Sequence, residues 1–247
     1  MQNQLRVQHG GSGEPVLLLL HGLGATSDVW DGWRSVLATE WPGSWLAPDL
    51  PGHGGSAPSP TYTFDGLASA VAEVVEDGRS TVVLGHSLGG VVGLALTHHV
   101  PVRAVVGLGI KVEWAEDELQ RAKALAAKPP VWFASRDEAA ARHLKVSGLT
   151  GLLDADDPAV GAALIEQDGR WRLAMDPAAF GVGAPDMSAL LAGSIASVVL
   201  ARGEHDAMNT DEQLARLGVR TVTLPGLGHN AHVEDPSATI TLLEPYR

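Results

Sequence analysis

Short apolar runs rich in branched side chains recur along this chain, separated by stretches whose apolar residues fall three or four positions apart. Val16-Leu17-Leu18-Leu19-Leu20 has no polar interruption, the pattern of a strand buried on both faces of a sheet. Trp45-Leu46-Ala47, Val82-Val83-Leu84, Ala104 to Ile110, Ser197 to Ala201 and Thr221 to Leu224 predict further strands. Leu5 to Gln8 alternates like a half-buried one. Trp30, Trp33, Val36 and Leu37 share a helical face behind a capping Ser27 or Asp28. Phe64, Leu67, Val71, Val74 and Val75 share another that ends before Gly78. The small residues after Leu88 predict a helix lying close on a sheet. Strands alternating with helices at this pitch imply a mostly parallel α/β sheet.

From about Val112 to Ala184 the alternation stops and helical signals take over. Glu116 to Lys128 is halted by Pro129-Pro130, Ser135 to Glu138 is a capping box opening a helix to Val146, and Asp157-Pro158 opens another that should end near Gly169. The expected organisation is therefore a core of residues 1–111 and 185–247 with an all-helical cap, 112–184, inserted before the last two strands. Trp114, Trp132, Phe133, Trp171 and Phe180 lie in that insertion. About half of them are expected to form its own small core and the others to roof an apolar pocket. Asp154, Asp156 and Asp157 read as a solvated loop with a cap rather than as metal ligands. After it, Met187 to Leu191 reads as a helix, and Asp235-Pro236 caps a closing helix through Leu243.

A formal charge of -12 argues against nucleic acid or an anionic membrane as partner and favours small molecules. The chain has no cysteine, which excludes disulfides, thiol nucleophiles and thiolate metal sites. Met1-Gln2-Asn3-Gln4 lacks the basic start of a secretory leader, and Val16 to Leu20 is too short to span a bilayer, so a cytoplasmic location is expected.

The chemistry concentrates where runs end. Val82 to Leu84 stops in Gly85-His86-Ser87-Leu88-Gly89, a Gly-x-Ser-x-Gly turn between strand and helix. Such a turn strains the serine backbone and projects its Oγ at the carboxyl edge of the sheet, before the positive end of a helix dipole. Serine needs a neighbouring base, and that imidazole needs a carboxylate to set its tautomer. The two remaining strands each supply one: Ser197–Ala201 opens into Arg202-Gly203-Glu204-His205-Asp206, and Thr221–Leu224 into Pro225-Gly226-Leu227-Gly228-His229. In a parallel sheet these loops share the edge of Ser87. Glu113 is the rival acid and His232 the rival base, the latter read as lying behind His229. His53 reads as a brace for its loop, and His98 and His99 suit a helix end. Dinucleotide binding is a weak rival, because His21-Gly22-Leu23-Gly24 lacks the G-x-G-x-x-G spacing.

His21-Gly22-Leu23-Gly24, Asp49-Leu50-Pro51-Gly52-His53-Gly54, the serine turn, Gly203-x-x-Asp206 and Gly226-x-Gly228-His229 together resemble the motif set of the α/β-hydrolase superfamily. The resemblance runs through nearly the whole chain. It implies an oxyanion hole made by the backbone N–H groups of Leu23 and Leu88, attack by Ser87 on a carbonyl carbon, His229 as base and Asp206 as its partner. The expected reaction is hydrolysis of small carboxylic esters through an acyl-enzyme; Trp114 and Trp132, as cap aromatics, and His86, as the neighbour of Ser87, are expected against the substrate, and no metal or organic cofactor is implied. Lactonase, carbon–carbon bond hydrolase and a hydrolase-fold small-molecule receptor remain open. The natural ester and the oligomeric state are not legible in these residues.

Overall fold

The computed structural model describes residues 4–76 and 78–247; Met1 to Asn3, most of the amino-terminal tetrapeptide considered above, lie outside the described residues. In chain order the first half comprises β1 (Val7–Gly10), β2 (Val16–Leu20), a 3-10 turn over Ser27–Trp33, α1 (Arg34–Glu40), β3 (Trp45–Pro48), α2 (Phe64–Ala72), β4 (Thr81–His86), α3 (Leu88–Leu96) and β5 (Ala104–Leu108). There follow α4 (Glu116–Ala126), α5 (Arg136–Ser147), α6 (Pro158–Ala162), β6 (Leu164–Gln167), β7 (Arg170–Leu173), a 3-10 turn over Pro177–Val182 and α7 (Met187–Ala192). The chain closes with β8 (Ser197–Gly203), α8 (Asp211–Ala215), β9 (Arg220–Leu224), α9 (Ala231–Glu234), α10 (Pro236–Ile240) and a 3-10 turn over Thr241–Tyr246.

Seven strands form one sheet in the order β1-β3-β2-β4-β5-β8-β9, with β1 antiparallel to β3 and every other neighbour parallel. Alternate residues serve opposite faces, as the two-residue period of a strand requires. Leu17, Leu19, Val82, Leu84 and Val106 pack with Trp30 and Trp33 on one side. Leu18, Leu20, Val83 and Val105 pack with Leu67, Val91 and Leu94 on the other. This double burial explains why the central strands read as unbroken apolar runs. From β2 the chain moves outward to β3, whereas from β4 it moves the other way through β5, β8 and β9. The β2/β4 boundary is therefore the point where strand order reverses, and the crevice beyond its carboxyl ends is where open α/β sheets bind ligands.

The stretch between β5 and β8 is not helical throughout. Leu164–Gln167 and Arg170–Leu173 pair as an antiparallel hairpin where a helix running to Gly169 was expected. The reason is the Asp168-Gly169 turn, with φ of 52° and 73°: two successive left-handed residues are what a tight hairpin turn demands, and Asp and Gly tolerate them. Nor does this stretch keep a core of its own. Phe133 and Trp171 join the cluster of Trp30 and Trp33, and Phe180 joins that of Leu67 and Val91. The closing helix is shorter than expected too, with the 3-10 turn taking over at Thr241. Among the described residues no helix is long and apolar enough to cross a membrane.

Candidate active site

Ser87 sits between β4 and α3 with φ 49° and ψ −113°, a conformation a side-chain-bearing residue rarely adopts. Two contacts hold it there. Its N–H donates to the Leu108 carbonyl of β5 at 2.8 Å, and α3 presses onto the end of β2 so closely that a Cβ on Gly89 would fall 2.4 Å from the Leu20 oxygen. The glycine two residues after the serine is thus a packing requirement, because anything larger would lift the helix off the strand. Backbone strain of this kind costs about 1–3 kcal/mol and persists only where packing enforces it.

The β2 loop closes over this turn. A Cβ at Gly22 would lie 2.6 Å from His86 Nδ1 and 3.4 Å from Ser87 Cβ. His21 fixes the loop: its Nε2 accepts the Leu50 N–H at 2.9 Å, which leaves Nδ1 to donate to the Gly22 carbonyl at 2.8 Å. Leu23 is half-buried and Leu88 buried, and neither backbone N–H donates to another group among the described residues.

Asp206 and His229 meet, as the loop placement predicted. His229 Nδ1 lies 3.1 Å from Asp206 Oδ2, and the carboxylate is fully buried while the imidazole keeps 23% of its side-chain surface. Burial pushes the Asp206 carboxyl up, but the hydrogen bond and charge of His229, the Met208 N–H and Arg202 outweigh it and hold the group below the usual carboxylate range. An ionised carboxylate can only accept, so Nδ1 of His229 donates to it, and in the neutral imidazole that tautomer leaves Nε2 as the acceptor. Met208 N–H caps the other carboxylate oxygen at 2.9 Å, and Arg202 ties down the loop through the Glu204 and Asp206 carbonyls, both at 2.9 Å. Gly109 backs the pair: a Cβ there would meet His229 Nδ1 at 3.1 Å and Asp206 Oδ2 at 3.3 Å.

The remaining candidates separate. Glu113 is exposed and engaged with Arg216 at 3.3 Å and Gln213 at 2.9 Å, away from His229. His86, expected against the substrate, is instead 3% exposed and donates through Nε2 to the His229 carbonyl at 3.0 Å. Its ring lies 4.7 Å from that of His229 and 4.3 Å from that of His232, so it supports the histidine loop from behind. Burial, then the charges that His232 and His229 would carry, hold His86 well below the usual histidine range. His232 is wedged between His86 and Trp30, buried with neither ring nitrogen partnered among the described residues, and is held down at about 3 by burial. His53 is buried edge-on to His21. Trp114, 36% exposed, lines with Leu23 a cleft of about 690 Å3 between α4 and the 3-10 turn at Phe180. Trp132 does not line that cleft; it lies under Arg172 of β7, whose guanidinium is 5.5 Å from its ring centre, and faces a different hollow beside Pro130 and Ile165.

Sequence reasoning assigned no role to His21 or Asn230. His21 stood in the first glycine motif; Asn230, which donates to the Gly148 carbonyl at 3.0 Å and so ties the His229 loop to the end of α5, carried no local signal.

A parallel sheet with a strained serine turn at its switch point and an Asp–His pair from the last two strands defines the class of α/β hydrolases. The sequence profile of the alpha/beta hydrolase family matches residues 17–242, and the chain belongs to that family. It is 35% identical over 109 residues to an uncharacterized protein of Mycobacterium tuberculosis, a match spanning 40% of this chain and only 31% of that protein's length. It is 27% identical to the 2-succinyl-6-hydroxy-2,4-cyclohexadiene-1-carboxylate synthase of Escherichia coli, with 96% of each chain covered. Among solved structures, E-2-(acetamidomethylene)succinate hydrolase aligns with a TM-score of 0.80 at 23% identity over 98% of this chain and 94% of that one, a likeness of fold.

Proposed function

We propose that this protein is a serine hydrolase that cleaves small carboxylic esters through an acyl-enzyme on Ser87. The observation that carries the reading is the 3.1 Å contact between His229 Nδ1 and the buried Asp206 carboxylate, at the sheet edge where Ser87 is held at positive φ. His229 Nε2 takes the Ser87 proton as Oγ attacks the ester carbonyl, and returns it to the departing alcohol. Asp206 sets the imidazole tautomer and stabilises its charge, and water then attacks the acyl-enzyme with His229 again as base. The N–H groups of Leu23 and Leu88 receive the oxyanion, and having no partner among the described residues they are available when charge develops. Residues 112–184 act as a cap over this edge, with Trp114 beside the Leu23 cleft; neither metal nor organic cofactor takes part, and the protein works in the cytoplasm.

Steady multiple turnover of p-nitrophenyl acetate and butyrate, with fluorophosphonate labelling lost in Ser87→Ala, is the expected result. A single slow acylation without turnover would favour a small-molecule receptor instead, and labelling at another serine would overturn the site. The end-to-end relation to a cyclohexadiene carboxylate synthase favours, as a second reading, carbon–carbon bond chemistry with the same triad. A β-diketone and lactone panel run beside the esters separates the two.

A further inference from the structure

The Asn230 side chain is turned away from the role its position suggests. It stands at the N-cap of α9, where an asparagine ordinarily accepts a backbone N–H of the first turn, yet it makes no such bond. Its amide instead reaches across to the end of α5, donating to the Gly148 carbonyl at 3.0 Å and lying 3.5 Å from that of Ser147. The last carbonyls of a helix have no partner within it, and among the described residues no backbone N–H reaches either of these two. Asn230 is 3% exposed, so bulk water does not compete for the bond.

α5 is a fixed support for whatever is held to it. Its Ala139, Ala140 and Leu144 are buried in the cluster of Trp30 and Trp33 against the sheet. Two residues beyond Leu144, Val146 lies against the loop of the Leu23 N–H: a Cβ on Gly24 would fall 2.7 Å from Val146 Cγ1. Within three residues, then, the end of α5 abuts the loop after β2 and bonds the loop after β9. In the sheet those two strands are separated by β4, β5 and β8, which at about 4.8 Å per step puts them roughly 19 Å apart. The other bonds to the histidine loop come from elsewhere. His86 of β4 reaches the His229 carbonyl at 3.0 Å, and Glu234 accepts the Gly228 N–H at 2.7 Å from within the same segment. Asn230 supplies the bond that refers His229 to the same support as the Leu23 loop.

Resting on the reading of Ser87 and His229 as nucleophile and base, we propose that Asn230 is a positioning residue for this reaction. By anchoring the residue next to His229 on the carbonyls that end α5, it sets the imidazole relative to the Leu23 loop. The assay is steady-state hydrolysis of p-nitrophenyl acetate. Asn230→Leu keeps the volume and removes the donor, so kcat should fall on the order of tenfold with KM changed less than about twofold, since a displaced base affects proton transfer more than binding. Asn230→Ala replaces it should the leucine protein not fold, and Asn230→Gln, which retains an amide donor, should recover part of the loss. Thr239→Val controls for simple loosening. The Thr239 hydroxyl donates to the Ala231 and Asp235 carbonyls at 3.0 and 2.9 Å, in the same segment but not to α5, so this variant should be less stable in urea yet keep a kcat near the parent's. Proton NMR gives a second readout: the downfield resonance of the Nδ1 proton shared with Asp206, identified by its loss in His229→Gln, should shift or broaden in Asn230→Leu and not in Thr239→Val. Parent kcat in Asn230→Leu, or an equal loss in Thr239→Val, overturns this inference and leaves the ester reading standing. A parent protein that turns over no ester overturns that reading, and the NMR comparison then decides alone: an unchanged resonance in Asn230→Leu overturns the positioning role.

Discussion

Mild acid should destabilise this protein before its carboxylates begin to titrate, because several histidines are buried neutral. His53, His143 and His232 are each 2% exposed or less, and each has a buried ring nitrogen with no partner. Burial holds them at about 3, about 4 and about 3. An unfolded histidine titrates near about 6.5, so below that pH the unfolded chain binds protons that the folded chain refuses. The stability these groups confer is complete above pH 6.5 and is lost as pH falls toward 3 to 4. At pH 5 an unfolded histidine is about 97% protonated while these three stay nearly neutral, a cost of about 2 kcal/mol each relative to pH 7.5. Three such groups amount to about 6 kcal/mol, a large part of the 5–15 kcal/mol that holds an ordinary domain together. Asp49 and Asp206, both held below the usual carboxylate range, contribute their losses only in stronger acid. Urea unfolding followed by tryptophan fluorescence at pH 7.5 and 5.0 measures the difference directly. For a chain of this length the same loss should lower Tm by on the order of 15 °C. His143→Leu, on α5, removes one titrating group, and its stability should fall by about 2 kcal/mol less than the parent's over that interval. Equal parent stability at the two pH values, or a His143→Leu protein that loses as much as the parent, would refute the reasoning.

Three further outcomes test the site. Asp206→Asn should fold yet lower kcat on p-nitrophenyl esters by about 10^3 to 10^4, the effect of a wrong imidazole tautomer, whereas Glu113→Gln should change it less than twofold because Glu113 faces Arg216. His86→Phe keeps the ring contact with His229 but removes the donor to its carbonyl, so kcat should drop about fivefold with KM little changed, the cost of one hydrogen bond of about 1 kcal/mol; His86→Gln, which can donate to the same oxygen, should recover part of it. Gly109→Ala, at φ 66° and with a Cβ 3.1 Å from His229 Nδ1, should lose about 1 kcal/mol in urea unfolding and lower kcat, and an unaltered kcat would show that the imidazole does not rest against this residue.

Much of this protein is legible in its sequence because the relevant signals are local. Val16 to Leu20 reads as an interior strand from its own composition, and the serine turn from five residues whose glycines let α3 pack on β4 and on the end of β2. The Asp206 and His229 loops could be brought to Ser87 without coordinates, since parallel strands present all their carboxyl ends on one edge. Asp168-Gly169 was equally local, and the hairpin it makes shows that a tight-turn signal outranks a helix cap when the flanking residues alternate. Other decisions belong to the tertiary structure alone. His86 and Trp132 have side chains suited to a ligand, and nothing within several residues of either forbids it. His86 is turned inward by a carbonyl at residue 229, and Trp132 is drawn away by Arg172. Local sequence determines which backbone shapes are available and which ends of strands face one another. Partners separated by tens of residues are decided by packing, because a hydrogen bond or a charge contact depends on ångström distances that no spacing along the chain encodes.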